Sequence, residues 1–429
     1  MKKIALFSAL LLSYLAVSAQ SLNVQSAITD RNRGYLNKAK ASIDKACLHE
    51  DTKNDAKTWY WASLIYTQIG GASKDPKSKY KDLDPEWCEK AYEAARRCSD
   101  LDKDGDYKLG DIFRYVGSEF YNRSIPLFNE HKYAEALALS DKAINVLTKA
   151  GDPDFANDAS YIAGLCCKQL KDTEGVKKYY LPLTRRNRVK ADFRSKMPQV
   201  YETVYNIYKE AGDTVNAFKT AERYTKVLPD DPNSYLMLAQ AYIWANNKDK
   251  GIEMVTKGVN ESKAKLAIDT VPKVKAAFET AYTKFLCSAA AVYVMAGDYT
   301  TAENNFKESS ERQPQQFEAN YGMGSMMYDR AYRKDQQVNT MVNEGKFSDE
   351  DIAVMDKLKE ERDAMLKQAI PYFKAADDYV KNLPAEEQGA YRGRLHDCLR
   401  TLNACYVTLD MLEESKPVQQ KIKELEAGN

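Results

Sequence analysis

An apolar pattern that recurs every 34 residues constrains the fold of this chain more than any other feature of its sequence. Tyr201 and Tyr208 recur as Tyr235 and Tyr242, each 34 positions later. A second pair of copies keeps the same interval, with Leu286, Ala290 and Tyr293 followed by Asn320, Gly324 and Met327. Repeats of this length are units that cannot bury an apolar face alone and therefore stack on their neighbours.

Within each copy, the apolar residues are spaced as one face of an α-helix. Those between Tyr201 and Tyr208 occupy positions i, i+3, i+4 and i+7. Gly212 and Gly297 follow such helices, and glycine readily takes the left-handed conformation that ends a helix. Small residues recur at the positions where two helices must approach closely, namely Ala239, Ala290 and Gly324. The pattern predicts pairs of antiparallel helices.

This pattern resembles the tetratricopeptide repeat, in which a large residue, a small residue, an aromatic and a closing proline recur in register. Weaker copies cover 59–98, 120–143 and 160–180, and a closing copy lies within 399–425. The resemblance covers most of the chain. It implies an all-α fold, a right-handed superhelical solenoid of about nine helical hairpins.

The repeat is interrupted at three places, at 70–86, at 262–275 and, most extensively, at 330–365. In the last of these, Ala331–Glu344 continues a helix, Gly345 begins a turn and Ser348 is suited to cap a returning helix over Asp349–Met365. We expect a long helical hairpin inserted near 330–365. It is either a further binding surface or a solvated spacer.

The first nineteen residues have the organisation of a signal peptide. Lys2 and Lys3 precede an apolar run over 4–17, and Ser18-Ala19 provides a small-residue cleavage site. The run is shorter than the ~20 residues that a membrane-spanning helix needs. We therefore expect a signal peptide at 1–19, an N-terminal repeat array at 20–260 and a C-terminal array at 261–429.

The charge balance limits the class of partner. The chain carries 63 Lys and Arg against 62 Asp and Glu, and removal of the two signal lysines leaves 61 against 62. A nucleic-acid partner, which would favour a basic surface, is therefore not expected. No second long apolar segment follows the signal, so we expect no transmembrane segment after cleavage and at most a peripheral association with the envelope.

The sequence contains one pattern that resembles a metal site. Carboxylates around Gly105 match the spacing of a calcium loop, namely Asp100, Asp102, Asp104, Asp106 and Asp111. An Asp-rich turn between two helices is the competing interpretation. His49, His131 and His396 lie far apart, and no phosphate-binding loop or catalytic motif is present. We expect no cofactor, and nothing in the sequence indicates an enzyme.

The resemblance to the tetratricopeptide repeat also implies a binding surface. In that family, the first helix of each pair lines a concave groove that holds peptides or partner helices. Tyrosine and tryptophan at such positions are suited to binding because they are rigid and amphipathic. Transfer of the family pattern gives ten groove residues, namely Tyr60, Leu64, Asn206, Lys209, Leu236, Gln240, Trp244, Tyr321, Ser325 and Tyr328.

The sequence also resembles exported repeat proteins of Bacteroidetes-type bacteria, at the Ala-Gln junction of residues 19 and 20, the run 51–60 and the ending over 399–425. This resemblance implies a periplasmic or outer-membrane-associated scaffold or adaptor that binds partner proteins or peptides through its groove. The alternative is an accessory protein in carbohydrate or nutrient handling or in envelope secretion. An enzyme would require a deep pocket of converging titratable groups.

Overall fold

A computed structural model describes residues 22–186, 189–268, 272–313 and 316–427 of the chain. The chain divides into two compact units, Met1–Val200 and Tyr201–Asn429, called here unit 1 and unit 2. Every regular element in the described residues is helical, and none of those residues forms a strand. The all-α prediction is confirmed. The predicted signal peptide at 1–19 lies outside the described residues.

The helices of unit 1 contain up to 20 residues and are joined mainly by short turns, with a longer connection over residues 74–86. Its helices are α1 (22–32), α2 (Leu36–Leu48), α3 (Ala56–Ser73), α4 (Trp87–Leu101), α5 (Gly110–Asn129), α6 (Tyr133–Lys149), α7 (Pro153–Gln169), α8 (Thr173–Thr184) and the single turn α9 (Ala191–Arg194). The next helix, α10 (Met197–Glu210), contains the division between Val200 and Tyr201.

Unit 2 continues with longer helices. They are α11 (Thr214–Val227), α12 (Pro232–Trp244), α13 (Lys248–Ile268), α14 (Pro272–Ala296), α15 (Tyr299–Arg312), α16 (Phe317–Asn343), α17 (Asp349–Lys381), α18 (Ala385–Gln388), a 3₁₀ turn (Gly389–Tyr391), α19 (Arg392–Thr408) and α20 (Leu412–Ala427). Within the predicted interruption at 262–275, residues 262–268 belong to α13 and residues 272–275 belong to α14. The expected array boundary at residue 260 falls within α13.

Each helix packs mainly on its neighbours in sequence, which is the arrangement of stacked helical pairs. A second set of contacts skips one helix. In unit 1 it joins α3, α5 and α7, and in unit 2 it joins α12, α14 and α16, with α16 also contacting α19. These first helices of successive pairs form what we call the inner layer of each unit.

Aspartates cap the starts of several helices, both within pairs and between them. The side chains of Asp152, Asp213 and Asp298 each accept a hydrogen bond from a backbone N–H in the first turn of the following helix, at 3.0–3.1 Å. Such caps satisfy donors that a helix start leaves unpaired. Gly212 and Gly297 have φ of 69° and 89°, the left-handed conformation predicted for the turns within two pairs.

Glycines allow the two helices of several pairs to approach closely. A Cβ added at Gly117 would lie 2.7 Å from Leu147, and one added at Gly164 would lie 2.0 Å from the Tyr180 ring. At Gly324, the corresponding distance to the Phe373 ring is 2.8 Å. The close approach predicted at Gly324 is confirmed, and any side chain there would displace an aromatic ring from the core.

The pair α16 and α17 is the longest in unit 2, at 27 and 33 residues. Ser348 caps α17 by accepting from the Asp351 N–H at 3.1 Å, and the Asp351 carboxylate accepts from the Ser348 N–H in return. The two helices are also joined by ion pairs between Lys334 and Glu361 and between Asp335 and Arg362. These contacts hold the extended parts of both helices together.

No helix in the described ranges is long and apolar enough to cross a membrane. All eight cysteines lie in the described residues, and none is bonded to another. Seven of them are buried and Cys47 is partly buried. They are small apolar residues of the core, which agrees with a chain large enough to fold without disulfides.

Candidate ligand-binding site

A cavity of about 850 Å³ opens on the inner layer of unit 2, between α14, α16 and α19. The α14 side of the cavity is a stripe of exposed residues, Lys284, Ser288 and Ala291, at positions i, i+4 and i+7. This spacing places all three on one face of the helix. Two of them are small, and their size leaves the space that larger side chains would fill.

Apolar side chains form the floor of the cavity. Phe306, Phe317 and Met326 line it and are at most 2% exposed. Gly322 lets the Phe306 ring lie directly under α16, because a Cβ at this position would be 2.1 Å from that ring. The floor is therefore rigid and apolar, as in sites that bind the apolar part of a ligand.

Two of the predicted groove residues, Tyr321 and Ser325, line this cavity from α16. The Tyr321 ring stacks on Phe317 at a centroid distance of 5.5 Å and lies 6.2 Å from Phe373. Burial raises the pKa of Tyr321, while a hydrogen bond with Ser325 lowers it. The hydroxyls of Tyr321 and Ser325 are the uncharged polar groups that α16 presents above the apolar floor.

Four charged residues surround the cavity, namely Lys284, Glu318, Asp329 and Arg394. Arg394 pairs with Glu318 at 2.8 Å and lies over the Phe317 ring at 5.5 Å. The Asp329 carboxylate pairs with Arg333 at 2.9 Å. Within the described chain, Lys284 makes no ion pair. The cavity therefore has one positive charge that its own residues do not compensate.

A second group of predicted residues meets on α10 and α12. The Lys209 ammonium lies 4.7 Å from the centroid of the Trp244 ring, which is 38% exposed. The Tyr205 ring is almost parallel to this indole, at a centroid distance of 6.1 Å. This is a cation–π contact on an exposed aromatic ring. Asn206 is exposed on the same helix as Lys209.

Three predicted residues in unit 2 are more enclosed. Leu236 and Tyr328 are half-buried and pack against the core of the unit, and Gln240 is also half-buried. Burial raises the pKa of Tyr328. These residues support the inner layer more than they present a free surface.

In unit 1, Tyr60 and Leu64 are half-buried and pack against the core. The Tyr60 ring lies 4.8 Å from the Tyr107 ring, centroid to centroid, and 5.8 Å from that of Trp61. The neighbouring aromatic side chains of the unit therefore occupy the surface that Tyr60 would offer to a ligand.

Among the described residues, the aspartates of the loop at 100–111 are not grouped as the ligands of a single ion. The Asp102 carboxylate accepts from the backbone N–H groups of Asp106 and Tyr107 at 3.0 and 2.9 Å. Asp100 pairs with Arg96 and Asp111 with Arg114. Within the described residues, no three His, Cys, Asp or Glu side chains are grouped to hold a metal ion. Asp102 instead organises the turn between α4 and α5.

Thiol chemistry is not favoured at the cavity. Cys287 lines the cavity, but burial raises the pKa of its thiol to about 11. A thiol with a raised pKa is protonated at neutral pH and is a weak nucleophile. The arrangement is suited to binding: an apolar floor, hydroxyl groups and one uncompensated ammonium.

The sequence reasoning missed the α14 side of the cavity, although the signal was present. The residues that precede Tyr321, Ser325 and Tyr328 by one repeat of 34 residues are at positions 287, 291 and 294. The residues at these three earlier positions all line the cavity. Lys284 lies one turn before them. Arg394 could not be found in this way, because it comes from the closing pair beyond the long helices.

No protein-family model and no curated protein sequence matches the chain. Among solved structures, the chain is similar to a tetratricopeptide repeat protein from Parabacteroides merdae (13% identity, 67% of this chain and 98% of that one, TM-score 0.35). It is also similar to the apo form of RapI (13% identity, 95% and 99%, TM-score 0.39). A third is YrrB, described as a TPR protein with an unusual peptide-binding site (13% identity, 47% and 88%, TM-score 0.32).

Proposed function

We propose that this chain is a scaffold or adaptor that binds a protein or peptide segment on the inner layer of unit 2. The observation that carries the proposal is the cavity of about 850 Å³ over Tyr321 and Ser325. It lies on the helices that a tetratricopeptide-type array uses for recognition. Its volume is within the range of cavities that hold a ligand and fix its orientation with a few polar groups.

Two exposed residues of unit 2 that lie outside the cavity lining also support binding of an extended segment. Exposed Lys209 and Trp244 on α10 and α12 offer a cation and a rigid aromatic surface. Such side chains contribute a large share of the affinity at protein interfaces. The described residues around the cavity offer no nucleophile with a lowered pKa beside a base, so binding is the function that the geometry supports best.

Site-specific photocross-linking tests this proposal. A photoreactive amino acid replaces Ser288 in the full chain, expressed in the cells that produce it. The matched control carries the same amino acid at Lys307, on the exposed side of α15 away from the cavity. We expect discrete cross-linked proteins from position 288 only. The same products from both positions, or none from position 288, would contradict a binding surface on the inner layer.

We also propose that the chain acts in the periplasm or at the outer membrane. The support is the basic, apolar and small-residue order of the first nineteen residues. Fractionation and N-terminal sequencing of the mature protein test this. We expect envelope fractions and Gln20 as the first residue. A protein that keeps Met1 in the cytosolic fraction would contradict export.

A further inference from the structure

We infer that the cavity of unit 2 selects a peptide segment in which an acidic residue lies close to a large apolar residue. This inference rests on the proposed binding function and specifies its ligand. The apolar residue occupies the floor over Phe306 and Phe317, and the acidic residue pairs with Lys284.

The charge of the cavity determines the sign of the ligand. Both acids at the cavity have internal partners, since Glu318 pairs with Arg394 at 2.8 Å and Asp329 with Arg333 at 2.9 Å. The Asp329 carboxylate also accepts from the Tyr299 hydroxyl at 2.5 Å. A cationic ligand would have to displace one of these partners.

An anionic ligand has no such competition. Lys284 is exposed on α14, and the described residues offer it no carboxylate within 4.0 Å. An ammonium at the edge of a partly enclosed, low-dielectric cavity attracts a carboxylate more strongly than one on an open surface does. The uncompensated charge therefore favours a carboxylate on the ligand.

The apolar floor determines the other half of the ligand. Phe306, Phe317 and Met326 contribute no polar group, and the hydroxyls of Tyr321 and Ser325 stand at the α16 side. A purely polar segment would lose hydration over this floor without new hydrogen bonds. A large aliphatic or aromatic side chain gains from burial there.

The exposed stripe on α14 limits the distance between the two ligand groups. Its ends, Lys284 and Ala291, are seven residues apart, which corresponds to about 10 Å at 1.5 Å per residue. An extended peptide advances about 3.3 Å per residue. The acidic residue is therefore expected within about three positions of the apolar residue.

A displayed library of random peptides, selected against the full-length protein, tests the inference. The wild-type protein is expected to enrich peptides that contain Asp or Glu within about three positions of a large apolar residue. The variant Lys284→Glu is expected to lower the affinity of the enriched peptides by about tenfold or more, because attraction becomes repulsion. It should also enrich basic peptides instead. The variant Ala291→Trp, which places a large side chain in the cavity, is expected to weaken the apolar preference.

Lys307→Glu on α15 is the matched control for charge reversal, and it should leave the selection unchanged. Circular dichroism verifies that every variant is folded. Enriched peptides without the acidic–apolar pattern, or a pattern unchanged by Lys284→Glu, would overturn the inference while leaving peptide binding intact. Failure to enrich any peptide, together with no cross-link at position 288, would instead contradict the proposed function.

Discussion

The inner layers of the two units follow the same repeat but differ in what fills them. Around Tyr60 in unit 1, large side chains fill the inner face, with Tyr60 packed against Tyr107 and the Arg31 guanidinium 5.7 Å from the centroid of the Trp61 ring. In unit 2, Ser288 and Ala291 leave a cavity of about 850 Å³ above an apolar floor. The backbone arrangement is similar, and the side-chain volume on the inner face differs.

This difference separates two kinds of position in the repeat. The repeat fixes the residues between the two helices of a pair, because those residues must pack. It does not fix the residues on the inner face, so these can close the surface or open it. We therefore expect the proposed binding function to depend on positions that the repeat leaves variable.

The comparison holds only if both units have equally well-packed cores. Phe120 in unit 1 and Phe317 in unit 2 are 1% and 0% exposed. We expect Phe120→Ala and Phe317→Ala each to lower the free energy of unfolding by about 3–5 kcal/mol, because each creates a large cavity. Urea denaturation measures both losses. A loss below about 1 kcal/mol for Phe317→Ala would mean that the cavity floor is loosely packed, and the contrast with unit 1 would then be one of packing quality.

Two adjacent glycines test how tightly the pairs of unit 1 are closed. A Cβ at Gly70 would lie 2.4 Å from the Trp87 ring, whereas one at Gly71 meets only the Tyr115 hydroxyl at 4.0 Å. We expect Gly70→Ala to cost about 1–3 kcal/mol through overpacking. Gly71→Ala is the matched control and should be neutral or slightly stabilising, because alanine favours the helix. Equal melting temperatures for the two variants would show that Trp87 moves aside freely.

Much of the fold could be predicted from the sequence because it depends on local rules. The left-handed glycines at 212 and 297 follow from their place after an apolar helix, and the Ser348 cap from a serine before an acidic first turn. The close approach at Gly324 follows from the 34-residue register alone. Each of these features is decided by residues within one or two neighbouring helices.

The site could be predicted only in part, because its openness depends on residues outside the register. Tyr60 is at a groove position, but its surface is occupied by Tyr107, which comes from the segment between α4 and α5. Arg394 reaches the cavity of unit 2 from α19. No spacing rule reports such contacts.

Two buried tyrosines of unit 2 test whether its inner layer contains a polar group without a partner. The Tyr205 hydroxyl is buried next to Trp244 and has no hydrogen-bond partner in the described chain, whereas the Tyr224 hydroxyl donates to Asp231 at 2.6 Å. We expect Tyr205→Phe to stabilise the protein by about 1 kcal/mol and Tyr224→Phe to destabilise it by about 1–2 kcal/mol. Thermal denaturation measures whether each variant is more or less stable than the wild type.

The raised pKa of Tyr205 also predicts that the free energy of unfolding depends on pH in the alkaline range. Burial raises the pKa of Tyr205 from 10 to about 12. Because the pKa is higher in the folded protein, this group leaves the free energy of unfolding unchanged with pH below about pH 10. Between about pH 10 and 12 the unfolded chain loses the proton first, and the free energy of unfolding falls. The loss of stability over this range should be smaller in Tyr205→Phe than in the wild type. Identical pH profiles would mean that the Tyr205 hydroxyl is accessible to water.

The smallest expected effect is the most direct test of the open inner layer. Ala290 is fully buried between helices, whereas its neighbour Ala291 is exposed in the cavity. Both alanines are in the middle of α14, and leucine has a similar helix propensity, so the two substitutions differ only in the space around them.

We expect Ala290→Leu to lower the free energy of unfolding by about 1–3 kcal/mol through overpacking. Ala291→Leu should change the free energy of unfolding by less than about 0.5 kcal/mol, because the cavity accommodates the added atoms. A large cost at position 291 would mean that the space above Phe306 is too narrow for a side chain, and an apolar ligand residue would then be excluded on the same ground.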